Sequence, residues 1–480
     1  MSKATRKTKI VATLGPSSST PDMIARLMNA GVDVFRLNYS HGDSAQKMQT
    51  ILSIRAVSNK LGRQAGILAD LQGPKIRTGI MAGGAMALTK GQDVTITTRD
   101  IIGENGVIPT TYGRLPHDVR NGSRILLDDG LMELKVVAVD DHNVLCHVIT
   151  GGLLKNNKGI NLPGTYVSES SLTDKDLRDL DSALDAGVDF VALSFVRTAE
   201  DVDQLKRIIY SKGMDTPVVA KIEKPEALRN FKKILLSADA IMVARGDLGV
   251  EVKAEKVPFY QKKIIAACNE AGKPVITATQ MLDSMVRNPR PTRAETSDVA
   301  NAIIDGTDAV MLSAETAAGD YPVESVEIMN RIARYVEQTH TWPIKADRKS
   351  SSHSISRAVA ESACQAASSL DAKAIAVFTQ TGSTASLISR FRPNIPIRAF
   401  TTTREIQCRL SLNWGVTPTG IAVMVELDEA IRAVEGILLA SGFHKGDIIV
   451  VIMGMPIEAR GSTNLMKIHK LGTGRFFEIY

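Results

Sequence analysis

The 480-residue chain is poor in aromatic side chains, at 4%, and has four cysteines and two tryptophans. So few aromatics argue against a single-strand nucleic-acid binder built on stacking platforms. No apolar run approaches the roughly 18 residues that cross a bilayer. Basic residues at the N-terminus are followed only by Ile10 to Leu14 before Gly15-Pro16, too short for a signal peptide. Cys146, Cys268, Cys364 and Cys408 lie far apart with no CxxC, which reads as free thiols of a reducing cytoplasm. The eight histidines form no HExxH and no Cys/His pair, so a zinc site is not expected. The absence of GxxxxGK[ST], HRD and DFG excludes a P-loop enzyme and a protein kinase. Lysine and arginine number 58 against 52 acids, a net +6 spread along the chain. That suits anionic metabolites and gives no reason to expect nucleic acid or membrane as a partner. The cluster Arg6-Lys7-Thr8-Lys9 reads as a solvated N-terminal arm.

What is present is a degenerate repeat. Four aspartates align AGVDVFRLN (30–38), AGVDFVALS (186–194), SADAIMVAR (237–245) and DGTDAVMLS (305–313). Each runs into a mostly apolar stretch suited to a strand buried on both faces. KIVATLG (9–15), AGILADL (65–71), PVVAKIE (217–223) and PVITATQM (274–281) bring the strands to eight. Helical periods lie between them: 173–187, with Thr173 as N-cap and Asp176 three residues on, 199–213, 225–238 and 258–272. The fold class is α/β: a (β/α)8 TIM barrel, with an open doubly wound sheet as the alternative. Between Gln72 and about Ser171 the helical period gives way to short alternating strands, including a hairpin of Met132–Val139 with Val144–Ile149. A small β-barrel inserted after the third strand is placed to act as a lid over the active face. A polar linker, 345–354, precedes a second alternation of helices and strands. The domains are therefore 1–71 and 171–345 (barrel), 72–170 (lid) and 346–480 (C-terminal α/β).

Barrel chemistry sits at the C-terminal strand ends. Reading these gives Arg36, Asn38, Ser40, His41, Asp70, Lys221, Glu223, Arg245, Gly246, Asp247, Thr279, Gln280, Ser313 and Glu315. Such a rim suits an anionic, metal-bound substrate. Lys221 and Glu223, two apart on a strand, point the same way; alone they could be a strand-end salt bridge. With Asp247, Glu223 supplies two carboxylates for Mg²⁺, the remaining ligands being substrate oxygens and water. Gly246 lets backbone N–H groups approach an anion closely.

RLNYSHG (36–42), DLQGPKIRTG (70–79), KIE (221–223), ARGDLG (244–249), PVITATQMLDSM (274–285), PRPTRAE (289–295) and MLSAETAAGDYP (311–322) resemble the pyruvate kinase family. The resemblance implies phosphoryl transfer from phosphoenolpyruvate to ADP, the last step of glycolysis. It places Arg36 and Lys221 on the phosphoryl group and Glu223 and Asp247 on Mg²⁺ (or Mn²⁺). It places Gly246, Asp247 and Thr279 at the substrate carboxylate, and Thr279 and Ser313 near the proton path. Asn38, His41, Arg77 and Lys158 match nucleotide positions. Asn38, Ser40, Asp70 and the Leu71 carbonyl match K⁺ ligands. Lys75, however, stands where many K⁺-requiring members carry glutamate, and its ammonium could replace the ion. The family further implies a homotetramer with effector sites in the C-terminal domain. There, Thr379, Thr381, Ser383 and Thr384, at a strand-to-helix turn, could cradle an allosteric phosphate or simply cap the helix. Gln380 brings no charge to that loop, which favours a sugar monophosphate or AMP over a bisphosphate. A metal-dependent carbon–carbon lyase would need a similar rim but no nucleotide. A non-catalytic sensor would not need the rim at all.

Overall fold

A computed structural model describes residues 6–342, 354–423, 426–455 and 463–475. Residues 345–353 of the expected linker lie outside the described residues. Eight parallel strands form a closed barrel: β1 (Lys9–Leu14), β2 (Val34–Asn38), β3 (Gly66–Asp70), β4 (Phe190–Leu193), β5 (Val218–Ile222), β6 (Ala240–Ala244), β7 (Val275–Ala278) and β8 (Ala309–Leu312). Each pairs with the next in chain order, and β8 returns to β1 with Ala309 opposite Lys9. Closure rules out the open-sheet alternative. Val11, Leu68, Val219, Met242 and Ile276 help fill the barrel interior, while a larger cluster lies between strands and helices.

The aspartate repeat has a physical origin. Asp33, Asp189, Asp239 and Asp308 immediately precede or open the even-numbered strands at the barrel floor. Each carboxylate accepts from a backbone N–H of the preceding strand: Ile10 at 2.9 Å, Ile67 at 2.7 Å, Val218 at 2.8 Å and Val275 at 2.9 Å. The same four aspartate N–H groups donate back to the carbonyls of those four residues. Cations face every carboxylate: Arg6 and Arg63 at Asp33, Arg55 at Asp189, Lys206 at Asp239 and Arg392 at Asp308. The repeat is thus a bracket that sets the register of each strand pair.

The basic N-terminal cluster is not a solvated arm. Arg6 pairs with Asp33 and also donates to Gly31 O, while Lys7 N and Thr8 N donate to Glu337. Lys9 is the first residue of β1; its buried Nζ donates to Val416 O in the C-terminal domain at 2.6 Å. Burial, partly offset by Asp33, pushes the Lys9 ammonium down to about 8. Fixed carboxylates and carbonyls nearby, which local charge counting does not see, draw these cations inward.

Among the helices, Thr173 and Asp176 form the expected capping box at the start of Asp174–Asp185. The stretch 225–238, expected as one helix, is two, Pro225–Arg229 and Phe231–Ser237. They part at Asn230, whose side chain donates to Arg197 O. The insertion after β3 is a curled six-stranded sheet with a two-stranded one beside it, and contains the expected hairpin, Met132–Val139 with Asn143–Thr150. The C-terminal domain is a five-stranded sheet. Two of its strands, Val416–Gly420 and Leu465–Lys470, carry no long apolar run and were not expected. Arg392, buried beneath the barrel, joins this domain to the floor through Asp308 at 2.9 Å and Gly306 O at 2.7 Å, with its guanidinium over the Trp414 ring.

Candidate active site

The C-terminal ends of β2, β3 and β5, with the residue after β4, bring Arg36, Asp70, Lys221 and Ser194 together. Arg36 Nε lies 2.6 Å from Asp70 Oδ2, and its Nη1 donates to Thr13. Lys221 Nζ stands 3.2 Å from Asp70 Oδ1, 2.9 Å from Glu223 Oε1 and 2.7 Å from Ser194 Oγ. Burial works against the Lys221 charge, but Asp70 and then Glu223 outweigh it and hold the ammonium above the usual lysine range. Burial also opposes ionisation of Asp70, yet Lys221 and then Arg36 hold its carboxyl below the usual range. Ser194 was not among the rim residues read from the sequence, although it ends its segment of the aspartate repeat at the position that Asn38, Arg245 and Ser313 hold in the other three. Its hydroxyl, donating in turn to Leu71 O at 2.7 Å, fixes where the ammonium sits.

Glu223 is buried, and burial raises its carboxyl above the ordinary range. Lys221 works against that rise and Asp247 adds to it. Its Oε1, though ion-paired with Lys221, receives no aligned hydrogen bond. A buried carboxylate oxygen with a spare lone pair, facing a second carboxylate, fits a hard divalent cation. Among the described residues no three His, Cys, Asp or Glu side chains cluster in metal-ligating geometry.

Thr279 and Gln280 follow β7 with φ of 68° and 53°. A β-branched residue in that region is strained, and such strain concentrates at functional sites. Arg245, expected on the open rim, is instead the brace of this turn: it donates to Ala278 O and to Thr279 O, and pairs with Asp298. Thr279 Oγ1 accepts from Gly246 N at 2.7 Å, beside Asp247 in the short helix Arg245–Glu251. Glu315 is likewise structural, its buried carboxylate accepting from Ser313 N and Leu282 N. The Ser313 hydroxyl is buried with no hydrogen-bond partner.

On the lid side, Arg77 and Lys158 lie on neighbouring segments: Arg77 bridges Gly159 and donates to Asn157 O at 3.2 Å, and Lys158 pairs with Asp128 at 2.9 Å. Partial burial, then Arg77, Lys75, Lys47 and Arg36, hold the His41 imidazole below its ordinary range. Lys75, Asp129, Asn161, Phe195, Lys224 and Asp247 line the cleft between lid and barrel. Of the expected K⁺ ligands, Asn38 Oδ1 accepts from Ser40 N and the Leu71 carbonyl accepts from Ser194. Asp70 is engaged by Arg36 and Lys221.

In the C-terminal domain, Thr379 Oγ1 accepts from Gly382 N, and Thr384 meets Thr463, both facing inward. Thr381 and Ser383 are exposed and hydrogen-bonded to each other at 2.9 Å, at the start of the helix Ser383–Arg390.

Comparison with known proteins fits this geometry. The family model for the pyruvate kinase barrel domain matches residues 5–326, and that for the pyruvate kinase alpha/beta domain matches 357–469. Pyruvate kinase 2 of Synechocystis sp. is 47% identical over 468 residues, covering 96% of this chain and 79% of that protein. The pyruvate kinase of Corynebacterium glutamicum is 45% identical, covering 97% and 98%. A crystal structure of a pyruvate kinase from Cryptosporidium parvum superposes with a TM-score of 0.92 at 38% identity, covering 97% of this chain and 96% of that one. Over its barrel and its C-terminal domain alike, this chain belongs to the pyruvate kinase family of phosphotransferases.

Proposed function

We propose that the rim of this pyruvate kinase divides its work as follows. The Lys221 ammonium and the Arg36 guanidinium receive the phosphoryl group of phosphoenolpyruvate, neutralising its charge as it passes to ADP. Glu223 and Asp247 would hold Mg²⁺, which would supply Lewis-acid polarisation of the substrate. Gly246, Asp247 and Thr279 orient the carboxylate end of the substrate. The Ser313 hydroxyl, with Thr279, lies on the route of the proton that converts the enolate to pyruvate. Asn38, His41, Arg77 and Lys158 receive the nucleotide. Phosphoryl transfer needs positioning and charge neutralisation more than covalent work by the protein. The observation that carries this reading is the buried Asp70–Lys221–Glu223 network beside Arg36. Its test is ATP formation from phosphoenolpyruvate and ADP with and without Mg²⁺; no Mg²⁺-dependent ATP would overturn it.

The family generally requires Mg²⁺ and K⁺. In this chain Asn38, Ser40, Asp70 and Leu71 match the K⁺ ligands, and we propose that the Lys75 ammonium takes the ion's place. We further propose activation by a phosphorylated metabolite, a sugar monophosphate or AMP, at Thr379, Thr381, Ser383 and Thr384. The exposed hydroxyls of Thr381 and Ser383 support that site. Assembly as a homotetramer and residence in the cytoplasm, with the domains bounded at 71, 170 and 345, complete the proposal. Among the described residues no helix is long and apolar enough to cross a membrane. Sedimentation of the purified chain tests the tetramer.

A further inference from the structure

The residues assigned above do not exhaust the positive charge on the nucleotide side of the rim. Lys47 lies in the first turns of the helix Ser44–Leu61. Its side chain folds back over the turn that follows β2, so that a Cβ on Gly42 would stand 3.8 Å from both its Cε and its Nζ. The ammonium therefore sits against the His41–Gly42 turn, and it is among the four cations that act on the His41 imidazole. It is half-buried, and burial, then repulsion from Arg36 and Lys175, holds it below the usual lysine range.

Asp179 and Asp43 favour its charge from a distance, but each is committed elsewhere. Asp179 pairs with Lys175. Asp43 caps the helix by accepting from Gln46 N at 2.7 Å. Asp70 is engaged by Arg36 and Lys221. Among the described residues no ion pair forms at Lys47, although this cation is partly dehydrated and crowded by others. Such a charge is unfavourable in isolation and becomes favourable when an anion arrives. It lies against the His41–Gly42 turn, and Arg36, on the phosphoryl side, is the cation with the largest effect on it.

We propose that Lys47 is a further substrate-binding residue, contacting the terminal phosphate of the nucleoside diphosphate and holding it toward Arg36. The proposal rests on the assignment of His41 and Arg77 to the nucleotide. Its chemistry is that of a charge-assisted contact to a phosphate oxygen, so its loss should fall on the acceptor and spare phosphoenolpyruvate.

The test uses the full chain with Lys47→Met, Lys47→Arg and, as a control at the far end of the same helix, Lys60→Met. Steady-state kinetics give KM for ADP and for phosphoenolpyruvate separately, and calorimetry gives ADP affinity without phosphoenolpyruvate. Lys47→Met should weaken ADP by about tenfold or more in both measurements. Its KM for phosphoenolpyruvate and its Tm should stay near wild type, Lys47→Arg should recover most of the ADP affinity, and Lys60→Met should behave as wild type. Unchanged ADP affinity in Lys47→Met, or equal weakening of both substrates, overturns the proposal. Failure of the wider functional reading would show differently, as wild-type protein that forms no ATP, and the calorimetric comparison would still judge Lys47.

Discussion

The Lys221 ammonium donates to the Ser194 hydroxyl across 2.7 Å, and that hydroxyl donates in turn to the Leu71 carbonyl. The cation is thereby aimed by a neutral group, while Asp70 and Glu223 keep it charged. Lys221→Met should lower kcat by about 10³, the scale for losing a key electrostatic donor at a transferring group. Ser194→Ala should cost far less, about five- to tenfold, as one hydrogen bond that aims the ammonium is lost. Stopped-flow or steady-state turnover of the two variants checks the order; near-wild-type Lys221→Met would remove Lys221 from the phosphoryl-transfer role.

On the assignment proposed above, Glu223→Gln removes one of the two carboxylates that would hold Mg²⁺. The Mg²⁺ concentration for half-maximal rate should rise by about 10- to 100-fold or more, since even indirect support of a metal is worth that much. Titrating turnover against Mg²⁺ shows it, and a variant that saturates with Mg²⁺ as wild type does would take Glu223 out of the metal site.

Lys75 lines the cleft beside Asp247 and acts on His41. Its ammonium should supply what a bound K⁺ would, and repel the ion as well. Turnover in buffer free of Na⁺ and K⁺ should lie close to that with K⁺ added, and Lys75→Glu should make the enzyme dependent on K⁺. A large activation of the wild type by K⁺ would show that Lys75 does not replace it.

The exposed pair Thr381 and Ser383 is the open part of the C-terminal loop, because Thr379 and Thr384 are turned toward Gly382 and Thr463. A sugar monophosphate or AMP should lower the phosphoenolpyruvate concentration needed for half-maximal rate. The double variant Thr381→Ala with Ser383→Ala should abolish that shift. If the double variant responds as wild type does, the phosphate binds elsewhere.

Arg392 is buried between the C-terminal domain and the barrel floor, against Asp308. Replacing it by Met leaves a buried carboxylate without its cation, a loss of about 3–5 kcal/mol. The urea midpoint should fall accordingly. Combining it with Asp308→Asn should restore part of the loss, since the unpaired charge disappears with its partner. A midpoint unmoved by Arg392→Met would mean that the domains are held by other contacts.

Much of this was legible in the sequence, and for physical reasons. Strands buried on both faces must be apolar throughout, so all eight barrel strands stood out, and the aspartate repeat marked half of them. Chemistry at strand ends made Arg36, Asp70, Lys221 and Glu223 visible by position alone. What escaped depends on partners distant in sequence. Arg6 looks solvated until Asp33 is placed beside it, and Arg245 looks like a rim cation until the Thr279 carbonyl claims it. Asn230 breaks a helix whose apolar period continues, because Arg197 O draws its side chain away. Val416–Gly420 contains Pro418 and belongs to a sheet edge, where a proline costs least and a strand pattern is faintest.

The ring of strands closes between its first and last members: Lys9 of β1 lies opposite Ala309 of β8, 300 residues later in the chain. Ribosomes add about 5–20 residues per second, so β1 emerges some 15 to 60 s, roughly, before its second neighbour exists. β3 waits too, since its partner β4 follows only after the whole lid has been made. Throughout that interval the nascent chain carries apolar strands with unpaired N–H and C=O groups, the form most prone to join another chain. Slower translation lengthens the exposure and a faster ribosome shortens it. The yield of this protein in a cell should therefore depend on elongation rate and on chaperones that cover an unfinished sheet, even where the finished barrel is stable.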